Sequence, residues 1–251
     1  MFNAKKEVEN IVKFIRDYYQ KYNLSGCVIG ISGGKDSAVV SALMVKALDS
    51  ENVIGFTLPC HSNMSDMDDA KKISDHYGFK LLNIDLTSTF DTFKDEVLKL
   101  GEYTKEDYIN SDINLKPRLR MASLYYMAAL LSSVNKKNYL VIGTGNKCEI
   151  YVGYFTKGGD NISDINPIGA YTVSEVIKLG EALKVPKEVL YKAPSDGLSN
   201  LTDEEKLGVT YKDIESYLNK EKLPKEISDK ITKLHNSNMH KFNTPIYERD
   251  K

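Results

Sequence analysis

Four short runs of nearly unbroken apolar residues, each followed by a stretch with helical spacing, set the tightest limit on what this chain can fold into. They span 27–31, 53–58, 80–85 and 139–143. Strands that are apolar at almost every position are buried on both faces, the habit of parallel sheets covered by helices. Between them, apolar residues recur at intervals of three and four. Val8, Ile11, Val12, Ile15, Tyr18, Tyr19 and Tyr22 do so behind a possible cap at Asn3, and Val39, Val40, Leu43, Met44 and Ala47 do so within 37–48. Further helices are expected at 66–77, around 90–100 and at roughly 112–134, the last rich in small and aromatic residues and expected to be buried on more than one face. Past residue 145 a glycine- and asparagine-rich loop is expected at 153–169, then helices near 173–184, 210–219 and 224–236. Strand–helix alternation of this kind predicts an α/β fold, a doubly wound and mostly parallel sheet with a helical C-terminal extension. With no repeat or linker, the chain reads as one domain over 1–251, its core about 22–200 and its extension about 201–251.

Charge narrows the function. The 34 basic and 35 acidic residues nearly cancel, so no long-range positive field gathers nucleic acid. No apolar run is long enough for a membrane span, and the start, Met1 to Glu7, lacks a signal peptide's apolar core. Cys27, Cys60 and Cys148 form no C-x-x-C pair, and His61, His76, His235 and His240 show no metal-ligand spacing. A soluble, cytoplasmic protein is expected, with neither membrane nor nucleic acid as partner.

The sharpest local feature is Gly30-Ile31-Ser32-Gly33-Gly34-Lys35-Asp36-Ser37, set between the first strand and its helix. Ligands of open α/β sheets bind beyond the strand C-termini, where a phosphate meets free helix N–H groups. The glycine pair lets backbone approach an anion closely, and Ser32 and Ser37 add hydroxyls. The spacing fits neither a Walker loop nor a dinucleotide fingerprint. Asp36 would repel a phosphate, a conflict that a magnesium ion between the two removes.

The S-G-G-x-D-S pattern resembles that of N-type ATP pyrophosphatases, which adenylate an acid with ATP. The second half of the chain is similar to bacterial NAD synthetases: Asn114-Leu115-Lys116-Pro117-Arg118-Leu119-Arg120-Met121, Gly143-Thr144 with Glu149, Gly153-Tyr154-Phe155-Thr156-Lys157 with Gly159-Asp160, and the late His240-Lys241. The resemblance covers about 26–245. It implies an adenine-nucleotide alpha-hydrolase-like, Rossmann-like fold and a homodimer, and an enzyme that amidates deamido-NAD with ammonia, using ATP and Mg²⁺. By the same resemblance Gly30, Ile31, Ser32, Gly33, Gly34, Lys35, Asp36, Ser37, Thr144 and Ser195 would contact ATP. Asp36 and Glu149 would hold magnesium, and Arg118, Lys157, Asp164, His240 and Lys241 would bind deamido-NAD. Asp160 would hold or deprotonate ammonium. Ammonia rather than glutamine is expected because the chain has no room for a glutaminase domain. One residue departs from the pattern: Val173 stands where the family usually carries a phosphate-binding lysine, so either another cation, such as Lys35, takes over that contact or ATP binding is weaker. The rival readings are another adenylating amidotransferase or thiolase acting on a nucleotide or tRNA, and a regulatory module that binds ATP without turnover.

Overall fold

All four apolar runs form strands in the computed structural model, which describes residues 2–62, 64–192 and 202–248. The strands β1 (Gly26–Gly30), β2 (Val53–Thr57), β3 (Lys80–Asn83) and β4 (Tyr139–Ile142) pair in parallel in the order β3-β2-β1-β4. Cys27 stands opposite Val53 on one side and Leu140 on the other. The helices are α1 (Ala4–Lys21), α2 (Lys35–Leu48), α3 (Met64–Tyr77), α4 (Thr87–Leu98), α5 (Lys105–Asn135), α6 (Lys147–Val152), α7 (Val173–Leu183), α8 (Lys187–Leu190), α9 (Asp203–Leu207), α10 (Tyr211–Leu218) and α11 (Lys225–Asn238). No helix among the described residues is long and apolar enough to cross a membrane.

Side chains alternate across a strand with period two, and the core divides accordingly. Cys27, Ile29 and Val53 point into one layer with α1, α2 and α7, while Val28, Ile54, Phe56 and Val141 point into the other, beneath α4 and α5. This is the two-sided cover that the continuous apolar runs predict. The chain leaves β1 through α2 to β2 and on to β3, then returns over the opposite face to place β4 beside β1. The strand order therefore reverses between β1 and β4, which opens a crevice beyond their C-terminal ends. A third apolar cluster, with Cys148, Val152, Leu207, Tyr211, Ile214 and Ile231, packs the C-terminal helices against α6.

Several boundaries differ from the sequence expectation for identifiable reasons. The third strand ends at Asn83, because Asp85 turns to accept a hydrogen bond from Thr87 N (2.8 Å) at the start of α4. The long helix begins at Lys105, behind a capping box of Thr104 and Asp107, and runs through Pro117. It is also less covered than expected. Only Pro117 and Ala128 are buried along it, and Tyr126, Leu130 and Val134, at i+4 spacing, stand open to solvent.

Candidate active site

The loop that follows β1 has the geometry of an anion cradle. Gly33 has φ +77°, and a Cβ there would lie 2.5 Å from the carbonyl oxygen of Asp66 in α3. Only glycine fits such a conformation and such a contact without strain. Gly34 is the N-cap of α2, so the next N–H groups, of Lys35, Asp36 and Ser37, start the helix without partners inside it. Ser37 Oγ donates to Gly34 O (3.0 Å) and lies 3.2 Å from Ser32 Oγ, which accepts from Gly34 N (3.3 Å). These bonds close the loop on itself at the start of α2. Thr144 follows the end of β4, in the strand next to β1, at the reversal point of the sheet.

Across this crevice two carboxylates meet through one asparagine. Asn146 is fully buried and caps α6, accepting from Cys148 N (3.0 Å) and Glu149 N (3.1 Å). Glu149 returns the bond by accepting from Asn146 N (3.0 Å), and Asn146 Nδ2 donates to Asp36 Oδ1 (3.4 Å). Loss of water, then the negative charge of Asp36, pushes the Glu149 pKa up to about 8. A carboxylate in that state gains from a nearby cation. Among the described residues no three His, Cys, Asp or Glu side chains converge as metal ligands. Mg²⁺ is usually held by one or two carboxylates and substrate phosphates rather than by a protein cage. The Asp36–Glu149 pair fits that donor set.

A second group of the expected residues gathers at the far end of α6. Gly159 lies flat on α5, where a Cβ would come within 2.9 Å of Pro117 Cβ, and Arg118 Nε donates to Lys157 O (3.2 Å). Lys157 Nζ donates to His240 O (2.9 Å), while Lys241 Nζ reaches Gly153 O (2.8 Å) and Phe155 O (3.0 Å). Asp160 accepts from Thr156 N (2.7 Å) and so shapes the same loop. Arg118, Lys157, Asp160, His240 and Lys241 are thus brought together from α5, the 153–162 loop and the C-terminal segment. Asp164 is occupied elsewhere, accepting from Val141 N (2.7 Å) on the β4 edge and from Tyr125 Oη (3.1 Å). Ser195 lies outside the described residues. Val173 is half-buried against the cluster that contains Cys148, in the first turn of α7, where it packs as a hydrophobe.

Sequence reasoning missed Asn146, Asp203, Tyr154 and Tyr211. The spacing of Asn146 to Glu149 and of Thr202 to Glu205 is that of a capping box, a readable signal for helix starts at both places. All three cysteines are buried, and burial raises the pKa of each thiol, that of Cys148 to about 12. None is poised as a nucleophile.

A doubly wound α/β protein with a glycine-rich loop at the reversal point of its sheet, a carboxylate in the helical turn that follows and a second one linked to it through Asn146, has the architecture of nucleotide-binding proteins. The family model "NAD synthase" matches residues 7–245, and the chain belongs to that family. It is 38% identical to the NH(3)-dependent NAD(+) synthetase of Carboxydothermus hydrogenoformans over 244 residues, 97% of each chain. Its fold is similar to that of the NMN synthetase from Francisella tularensis, with a TM-score of 0.89 and 34% identity over the whole of both chains. It is also similar to the NH3-dependent NAD synthetase of Campylobacter jejuni, with a TM-score of 0.77 and 29% identity over 99% of this chain and 100% of the other.

Proposed function

We propose that the chain is an ammonia-dependent NAD synthetase, a ligase that joins nitrogen to a pyridine carboxylate at the expense of ATP. The observation that carries this is the anion loop, whose Asp36 is linked through Asn146 to Glu149, in a chain matched by the NAD synthase family over 7–245. The acid is deamido-NAD. Its carboxylate attacks the α-phosphorus of ATP and pyrophosphate leaves. Ammonia then attacks the acyl carbon and AMP leaves, which yields the amide.

The chain's own groups divide this work. Backbone N–H groups of the loop at 30–37, with Ser32 and Ser37, hold the pyrophosphate portion, and Thr144 and Ser195 complete the ATP site. Asp36 and Glu149 hold Mg²⁺, which when bound neutralises charge on the phosphates. Charge stabilisation of this preorganised kind is the largest contribution expected of the site. With Val173 in an apolar cluster, Lys35 is the cation left at the loop for the phosphates. Arg118, Lys157, His240 and Lys241 bind the dinucleotide, whose phosphates call for cationic donors. Asp160 receives ammonium. We assign one synthetase domain to 1–251, place the reaction in the cytoplasm, and pair two copies through the exposed apolar side of α5, where Tyr126 and Val134 are 71% and 68% exposed. Burying such side chains is what a homodimer gains by association.

A second reading of the acid has its own support. The likeness to the Francisella NMN synthetase is greater than that to the Campylobacter NAD synthetase, in TM-score and in identity. The alternative substrate is therefore the mononucleotide acid, nicotinic acid mononucleotide, with the same chemistry at the carboxylate. One assay tests both. The protein is incubated with ATP, Mg²⁺, ammonium and either acid, and the amide and AMP are measured. A larger kcat/KM for deamido-NAD supports the first reading, a larger value for the mononucleotide supports the second, and no AMP with either acid refutes both.

A further inference from the structure

Lys35 is out of place by ordinary rules. It is the first residue of α2, where the helix dipole disfavours a cation, and a lysine at such a position normally extends its ammonium into water. Here the residue is only 7% exposed. Its Nζ lies 3.1 Å from Asp36 Oδ2 and 5.8 Å from the centre of the Tyr211 ring. The ion pair to Asp36 and the face of Tyr211 enclose the ammonium, and the Tyr211 hydroxyl leads on to Asp203. Asp203 is itself buried and fixed by Tyr154 Oη (3.1 Å) and Tyr211 Oη (3.4 Å). The C-terminal extension thus supplies the aromatic face beside this ammonium and the buried carboxylate that the Tyr211 hydroxyl holds.

We propose that Lys35 is a tethered cation that holds the Asp36–Glu149 seat in the ligand-free protein, so that a divalent cation enters tightly only together with nucleotide phosphates, onto which the displaced ammonium moves. The proposal rests on the reading that Asp36 and Glu149 form the metal seat. Its physical basis is that a monovalent and a divalent cation repel when they share the same carboxylates in surroundings of low dielectric. Phosphates remove the conflict by giving the ammonium a new anionic partner within reach of its flexible stem. The first turn of α2 carries both the loop N–H groups and the Lys35 stem, so the anion and the ammonium are brought to one place. Metal and nucleotide are then bound as one event.

The test is Mn²⁺ binding to the ligand-free protein, followed by the loss of the free-ion electron paramagnetic resonance signal. Wild type, Lys35→Met and the double variant Lys35→Met/Glu149→Gln are compared, and wild type is repeated with a non-hydrolysable ATP analogue. Lys35→Met is expected to bind Mn²⁺ at least tenfold more tightly than wild type, the analogue to tighten wild type, and Glu149→Gln to abolish the gain. Lys35→Arg should restore weak binding, which separates a charge effect from a packing effect. If Lys35→Met does not fold, Lys35→Gln takes its place in the same titration. Equal affinity in wild type and Lys35→Met, or no binding in Lys35→Met, overturns the proposal. Tight binding that survives Glu149→Gln overturns instead the assignment of the metal seat.

Discussion

Gly33→Ala isolates the part of the phosphate loop that packing demands. At φ +77° an L-residue pays roughly 1–2 kcal/mol that glycine does not. The new methyl would also lie 2.5 Å from the Asp66 carbonyl oxygen and 3.2 Å from two further backbone atoms of that residue. Asp66 cannot retreat freely, because its carboxylate and that of Asp69 are held by Lys192 Nζ at 2.9 and 2.8 Å. Overpacking against backbone adds about 1–3 kcal/mol. A loss of about 2–5 kcal/mol in unfolding free energy is therefore expected from urea titration. If the loop gives way instead, the strain appears as weaker ATP binding, tenfold or more, in isothermal titration. Gly34→Ala is the control. Gly34 has φ −96° and its added Cβ would come no nearer than 3.4 Å to Ser32 Oγ, so it should cost no more than about 1 kcal/mol. Gly33→Ala with wild-type stability and ATP affinity, or an equal loss in Gly34→Ala, would refute the reasoning.

Asp36→Ala should lower the rate of AMP formation on the order of a hundredfold, as deletion of one preorganised electrostatic contact does. Half the wild-type rate at saturating Mg²⁺ would remove Asp36 from the metal seat. Lys157→Ala should raise KM for the pyridine acid and leave ATP binding within about twofold in titration; equal weakening toward both ligands would move Lys157 to the wrong half of the site. The variant with Cys27, Cys60 and Cys148 all changed to serine, if folded, should retain ammonia-driven amide formation. Glutamine free of ammonium should give wild type no product. Glutamine-driven synthesis that the serine variant loses would refute ammonia as the nitrogen donor.

What the sequence disclosed follows the range of each interaction. The loop at 30–37 is eight contiguous residues whose glycines and hydroxyls act locally, so its place between β1 and α2 was legible at once. The sheet was legible for a similar reason, since a strand buried on both faces must be apolar throughout. The cluster around Lys157 was another matter. Arg118 and Lys157 are 39 residues apart and His240 is 83 further on, and no local pattern joins them. Only the family resemblance placed them together. The first two turns of α5, 105–111, were hidden because their mostly polar residues carry no apolar stripe, although Thr104 and Asp107 have the spacing of a capping box. Tyr211 was not legible as a neighbour of Lys35, because that contact exists only once the C-terminal helices dock on α6.

That docking gives α6 a second meaning. Its six residues rise about 9 Å at 1.5 Å each. Asn146 at one end touches Asp36, and Gly153 at the other end is held by Lys241. The helix is a gauge between the loop that carries Asp36 and the segment that carries Lys241. One inserted residue would lengthen it by about 1.5 Å and turn everything beyond it by about 100°, so both ends cannot stay in register. The exposed turn between α4 and α5, where Leu100 is 80% exposed, bears no such constraint. Over evolutionary time, insertions and deletions should therefore accumulate at that turn and be absent from 146–153, whatever happens to the identities of the residues in between.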